Sequence, residues 1–339
     1  MTTGLTTAAS GPRPRAVVFA YHDVGVRCLK TLISGGVDIP LVVTVADDPN
    51  ERQWFASVAA TAADYGIDAI TPDDANTPAV VARVAAAKPD FIFSFYYRAL
   101  LGGPLLALAP RGALNMHGSL LPRYRGRAPV NWAILNGELE TGATLHYMVD
   151  RADAGDIVDQ QAVPILRDDD AREVFAKLTV AAEMVLARSL PLLVAGRERR
   201  IPQTIVPGSY FGRRRPEDGR IDWSQPAERI HNLVRAVAPP FPGAFTEVQG
   251  QRWSINRTRV VSGSILPSNS LHHPERNFAS TQGGAIGPGG SARLSGAGGK
   301  CLAACRDGGV LEILSAASTR GPLDLETLAR ELEQRPVML

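Results

Sequence analysis

The first 200 residues alternate two hydrophobic patterns. Short unbroken apolar runs, Ala16-Val17-Val18-Phe19-Ala20, Leu41-Val42-Val43-Thr44-Val45 and Phe91-Ile92-Phe93-Ser94-Phe95, are rich in β-branched and aromatic residues. Such runs predict strands buried on both faces. Between them, alanine-rich amphipathic stretches at 54–65 and 78–87 predict helices. This alternation predicts an α/β fold with a doubly wound, mostly parallel sheet. Residues 141–149 and 156–164 predict two further strands, and 170–195 a long helix that closes the domain.

The pattern then changes. Residues 201–209 mix Pro, Gly and polar side chains as a linker does. One helical stretch follows at 227–237, then short strand-like runs at 244–248, 253–255, 301–304 and 310–314. Several short strands after a single helix predict a small β-barrel. Residues 277–300 hold eight glycines and few large apolar side chains, which predicts a long flexible loop. Its Gly287-Pro288-Gly289-Gly290 run lacks the strand before and helix after of a phosphate-binding loop. The expected organisation is a disordered tail at 1–14, a catalytic domain at 15–200 and a linker at 201–212. A barrel domain follows at 213–322, with a flexible insertion at about 262–299, and a helix or tail at 323–339.

At 339 residues and 45% hydrophobic, the chain is long enough for one large core and a smaller one. A net charge of +2 gives no global attraction for nucleic acid. Three cysteines, Cys28, Cys301 and Cys305, are too few and odd in number for a disulfide framework. No histidine lies near Cys301 and Cys305, so buried thiols are expected rather than zinc. No run reaches the roughly 18 apolar residues that span a membrane. The first 14 residues lack a signal peptide's apolar centre, and a cytoplasmic location is the expectation.

The candidate chemistry lies in Asn115-Met116-His117-Gly118-Ser119-Leu120-Leu121-Pro122, with Asp153 downstream. These residues follow the apolar Gly112-Ala113-Leu114, and positions two apart on a strand share a face, so Asn115 and His117 project together. An amide donor, a base with an ordinary pKa near 6.5 and a carboxylate partner suit acyl transfer to an amine. In that chemistry Asn115 stabilises an oxyanion, His117 moves the proton, and Asp153 favours its imidazolium. No metal is required.

Asn-x-His, then Ser119-Leu120-Leu121-Pro122-Arg123-Tyr124-Arg125-Gly126 and a later Asp153, resembles the folate-dependent formyltransferases. Phe19-Ala20-Tyr21-His22-Asp23, Phe93-Ser94-Phe95-Tyr96-Tyr97-Arg98, Arg125-Gly126-Arg127-Ala128-Pro129 and Phe211-Gly212-Arg213-Arg214 narrow the match. They resemble the branch of that family acting on UDP-4-amino-4-deoxy-L-arabinose. The resemblance runs from about Val17 to Val260. It implies the formyltransferase fold with an OB-like C-terminal barrel, and the catalytic set Asn115, His117 and Asp153. It also implies 10-formyltetrahydrofolate as co-substrate, held by Ala99, Leu100, Leu101 and Arg127 and by the loop of Val149, Asp150, Arg151 and Ala152. For Leu100 and Leu101 a plain helix core is the alternative, and Arg127 suits a phosphate equally well. The Tyr21-His22 turn lacks dinucleotide-loop glycine spacing, so it is expected to shape the site or touch substrate. Phe211 with Arg213 and Arg214 offers an aromatic for a base and cations for a diphosphate.

Three activities are consistent with these residues. One is N-formylation of a nucleotide-linked amino sugar, with a homo-oligomer as a partner arrangement open to it and no membrane partner expected. The second, methionyl-tRNA formylation, calls for a basic insertion, whereas 277–300 carries only Arg293 and Lys300 as basic residues. The third is hydrolysis of formyl-folate, with the same residues activating water.

Overall fold

The computed structural model describes residues 13–46, 53–262 and 292–339. The tail at 1–12 and the Gly287–Gly290 run lie outside these residues. Close contacts group the chain into two compact units. One comprises 1–117, 145–159 and 182–202, and the other 118–144, 160–181 and 203–339.

The first part of the chain supplies strands β1 (Arg15–Ala20), β2 (Asp38–Val43), β3 (Ala69–Ile70), β4 (Phe91–Phe95), β5 (Ala113–His117), β6 (Arg125–Gly126), β7 (Glu140–Tyr147) and β8 (Ile157–Pro164). Seven of them form a sheet in the order β3-β2-β1-β4-β5-β7-β8. The β2–β3, β1–β2, β1–β4 and β4–β5 pairings are parallel. Every residue of β4 is buried, as its unbroken apolar run requires of a strand covered on both faces. Helices α1 (His22–Ser34), α2 (Val58–Asp64), α3 (Pro78–Ala86), α4 (Gly103–Leu106), α5 (Pro129–Leu135) and α6 (Ala171–Ala195) complete this half. Val17, Phe19, Leu41, Val43, Val80, Val84, Ile92 and Leu105 share one core cluster.

Two helical expectations change here. Residues 54–65 are not one helix: α2 begins after Ser57, whose hydroxyl accepts from the Ala60 N–H at 3.3 Å. That cap leaves Trp54 and Phe55 outside the helix. The segment Ala99-Leu100-Leu101 is not helix core either. It is irregular, with Leu100 68% exposed. Helix α6, 25 residues long, is apolar enough by length and composition alone to cross a membrane. Charged residues interrupt it, so the helix contains no unbroken apolar run of that length. In the fold Val174, Leu178, Ala182, Val185 and Leu186 bury one face inside the protein, marking a core helix.

The remainder contributes β9 (Tyr210–Phe211), α7 (Ala227–Ala236), β10 (Ala244–Val248), β11 (Gln251–Ser262), β12 (Arg293–Ala297), β13 (Lys300–Ala304), β14 (Val310–Ser318), β15 (Gly321–Pro322), α8 (Leu325–Gln334) and β16 (Val337–Met338). These form a curled antiparallel sheet in the order β10-β11-β14-β13-β12-β16, with β15 paired to β14. The two short strands β6 and β9 pair with each other. All three cysteines are free and buried.

Here the expected flexible stretch at 277–300 is corrected over its last residues. Arg293–Ala297 is a strand, turned into β13 by Gly298 and Gly299 at φ of +56° and +74°. Two consecutive positive φ values make the tight hairpin that glycine pairs favour. Gly296 lets α8 approach, since a Cβ there would lie 1.8 Å from the Ala329 carbonyl oxygen. Glycines that read as disorder are the close contacts of a packed hairpin.

Candidate active site

The carboxyl ends of the parallel strands carry the candidate residues, where ligands of open α/β sheets bind. Strand β5 ends with Asn115, Met116 and His117. Asn115 is half-buried and His117 only 7% exposed. Asp153, on the loop between β7 and β8, brings its carboxylate to 3.6 Å from the His117 Nδ1. The same carboxylate oxygen lies 3.7 Å from the Nε2 of His146. Asp153 holds this position at φ of +53°, an arrangement that surrounding structure must enforce. Gly155 is part of that enforcement: a Cβ there would stand 2.1 Å from the Tyr147 carbonyl oxygen, so no side chain fits.

His146 belongs to this cluster although sequence reasoning passed over it. It lies on β7, is 1% exposed, and puts Nε2 3.1 Å from the Asn115 amide nitrogen. Its Nδ1 lies 2.8 Å from the Tyr147 carbonyl oxygen. Burial pushes this imidazole well below the ordinary histidine range, and the neighbouring His117 adds to the shift. Asp153 and the Tyr147 carbonyl oppose it. The signal available in the sequence was the alternation Thr144-Leu145-His146, which puts a second polar side chain two residues from the first.

The segments 99–101 and 149–152, both expected at the folate, are neighbours. Asn76 accepts from the Gly102 N–H at 2.7 Å and donates to the Leu100 carbonyl at 3.0 Å, fixing the chain around Leu101. Asp74 in turn accepts from the Asn76 backbone N–H at 2.9 Å. A Cβ on Gly103 would lie 3.9 Å from the Asp150 carboxylate, so this loop and the Val149–Ala152 loop are neighbours. Leu100 and Val149 are 68% and 48% exposed, offering apolar surface beside pinned backbone. Ala99, Asp150 and Arg151 are exposed, and Leu101 and Ala152 half-buried. Asn76 was absent from the sequence reading. Its value arises only from a contact 24 residues away. Arg127 belongs to the other unit, where it is exposed and its backbone N–H donates to the Phe211 carbonyl at 2.9 Å.

At the end of β1, Tyr21 precedes α1 and His22 opens it at φ of +66°. The His22 ring stacks on Phe55 at 4.2 Å and meets the Trp54 edge at 4.4 Å. The Arg98 guanidinium covers the Tyr21 ring at 4.3 Å. Burial, then the Arg98 charge, lowers the His22 pKa to about 3. Its Nδ1 accepts from the Asp23 N–H at 2.9 Å, which suits a neutral ring. The unfolded chain takes up this proton near pH 6.5 and the folded chain does not. Stability from this residue is therefore complete above pH 6.5 and falls as pH drops toward 3. The expected loss is about 1.4 kcal/mol per pH unit. Urea unfolding of the native chain and His22→Gln between pH 7 and 4.5 checks this: the variant's dependence should be shallower by about that slope.

In the other unit Phe211, Tyr124 and Trp132 form an aromatic group, with Phe211 4.9 Å from Tyr124 and 5.2 Å from Trp132. Trp132 donates to the Gly212 carbonyl at 3.0 Å. The half-buried Arg214 guanidinium sits 4.9 Å over the Trp132 ring and donates to the Asp218 carbonyl at 3.0 Å. Its Nε is buried and finds no acceptor among the described residues. Arg213 is exposed.

Two family models match the chain: formyl transferase over residues 15–190, and formyl transferase, C-terminal domain, over 214–331. Among solved structures, WlaRD, a sugar 3N-formyltransferase crystallised in the presence of dTDP and 5-N-formyl-THF, is similar. It has 19% identity and a TM-score of 0.64, over 93% of this chain and 99% of that one. An N-formyltransferase from Helicobacter canadensis, in complex with folinic acid and dTDP-3-aminofucose, has 18% identity and a TM-score of 0.63. That match covers 89% of this chain and 99% of that one. A 4-N formyltransferase from Francisella tularensis has 20% identity and a TM-score of 0.58, over 70% and 95%. At these identities the likeness is one of fold.

Proposed function

Because the chain belongs to the formyl transferase family, we propose that it transfers the formyl group of 10-formyltetrahydrofolate to the primary amine of a nucleotide-linked amino sugar. The observation that carries this reading is the convergence of Asn115, His117 and Asp153 at the end of β5. The amine nitrogen bonds to the formyl carbon, and the bond from that carbon to the folate nitrogen breaks. His117 accepts the proton that the amine loses and returns it to the departing nitrogen. Asp153, 3.6 Å away, stabilises the imidazolium between those steps. Asn115 donates to the formyl oxygen as negative charge develops there.

The co-substrate fits the pinned backbone at Leu100–Gly102, which offers hydrogen-bonding edges beside the exposed Leu100 and Val149. Within the substrate class, the resemblance of Phe19–Asp23 and Phe211–Arg214 favours UDP-4-amino-4-deoxy-L-arabinose. The structural neighbours carry dTDP or a dTDP-sugar. The test is a panel of UDP- and dTDP-linked 3- and 4-amino sugars with 10-formyltetrahydrofolate, scored by mass for one added formyl group. Formyl addition to an amino sugar supports the reading. Formate release without any amine product, or formylation of charged tRNA alone, overturns it.

Arg214 supplies a second handle. Among the described residues its buried Nε has no acceptor, an unmet hydrogen bond that a ligand anion would satisfy. Arg214→Ala is expected to weaken nucleotide-sugar binding by about 1.5–3 kcal/mol, with the Michaelis constant for the folate unchanged. Titration calorimetry with the sugar nucleotide and steady-state kinetics in both substrates measure this. Equal affinity in variant and native chains removes Arg214 from the substrate site.

A further inference from the structure

Asn115 stabilises an oxyanion only if its amide, and not its carbonyl, faces the reacting oxygen. An asparagine side chain has two orientations nearly equal in shape, so something must choose between them. We propose that His146 is a positioning residue that fixes the Asn115 amide, accepting one Nδ2 hydrogen so that the other points at the developing oxyanion. This rests on the reading of Asn115 as the oxyanion donor.

The Tyr147 carbonyl, 2.8 Å from the His146 Nδ1, can only accept, so Nδ1 carries the proton. Burial at 1% exposure keeps the ring from taking a second one, and its pKa is held down accordingly. Nε2 therefore presents a lone pair. The group 3.1 Å from that lone pair is the Asn115 amide nitrogen, a donor with two hydrogens. A flipped Asn115 would set its carbonyl oxygen against the lone pair, two acceptors face to face, and lose the contact. The charged or titratable groups facing His146 are Asp153 at 3.7 Å and His117, whose ring centroid is 6.4 Å away. Asp153 is placed to capture Nε2–H if the ring ever took the other tautomer, which would release Asn115. The Tyr147 carbonyl opposes that switch. His146 touches no reacting atom in this scheme.

Two measurements test the proposal on the full chain. The first needs no substrate. Ring ¹⁵N chemical shifts of histidine-labelled protein, assigned against His146→Gln, should show Nδ1 protonated and Nε2 unprotonated from pH 8 to 6. A protonated Nε2, or titration of His146 at or above the ordinary histidine value, overturns the proposal. This result stands whatever substrate the enzyme uses, so its failure is distinct from failure of the formyl-transfer reading.

The second is a double-mutant cycle on turnover. Asn115→Ala should cost about 10²–10³-fold in kcat, as loss of one oxyanion donor does. His146→Leu should cost about tenfold or more of that in kcat, with little change in either KM. In the Asn115→Ala background, His146→Leu should add about twofold or less, because its only route to the reaction is gone. His146→Gln, able to accept from Asn115 with its amide oxygen, should recover part of the loss. Additive costs in the cycle, or equal loss in the leucine and glutamine variants, would mean that His146 merely supports the fold.

Discussion

Replacing His117 by alanine is expected to lower kcat by about 10²–10⁴-fold, the range that a positioned proton-transfer group supplies, while the chain keeps its fold. The side chain is 7% exposed and stands at the end of β5, beyond the apolar positions Ala113 and Leu114 that anchor the strand. Removing it deletes an imidazole at the strand end. The His146 ring meets it edge-on at 6.4 Å between centroids. Far-ultraviolet circular dichroism and the midpoint of urea unfolding should therefore change little. Steady-state kinetics should show the loss in kcat and kcat/KM together, because proton transfer belongs to the transition state. Retention of more than about a tenth of native turnover would transfer the base role to another group and dissolve the assignment.

The distribution of what was legible follows from the range of each signal. A buried parallel strand announces itself in five consecutive residues, so β1 and β4 could be read directly, as could the placing of Asn115 and His117 on one strand. The fold class needed nothing longer than this alternation. Contacts far apart in sequence left no comparable trace. Asn76 is a surface asparagine until Leu100 and Gly102 arrive beside it. His146 is one polar residue in a buried strand until the Asn115 amide comes within 3.1 Å. Glycine misled in the other direction: Gly296, Gly298 and Gly299 suggested disorder, yet they form the tight turn and close helix approach of a packed hairpin. At 54–57 the amphipathic period extended past the Ser57 cap, because periodicity carries no information about where the first free N–H is satisfied.

The other large effect is expected at Asp153. Asp153→Asn keeps the size of the side chain and leaves an oxygen to accept hydrogen bonds, so it isolates the charge. That charge lies 3.6 Å from the His117 Nδ1 in a region only partly open to solvent. At such a separation an imidazolium and a carboxylate attract by on the order of 4 kcal/mol at an effective dielectric of 20. In the proposed mechanism much of this is realised only when His117 holds the proton from the amine. A loss of about 10²–10³-fold in kcat is expected, since each factor of ten corresponds to about 1.4 kcal/mol. Because Asp153 occupies φ of +53°, asparagine also suits the backbone, being among the non-glycine residues enriched in the left-handed region. A variant with native turnover would show that the loop places Asp153 near His117 without its charge taking part, leaving the Tyr147–Gly155 approach as a purely architectural feature.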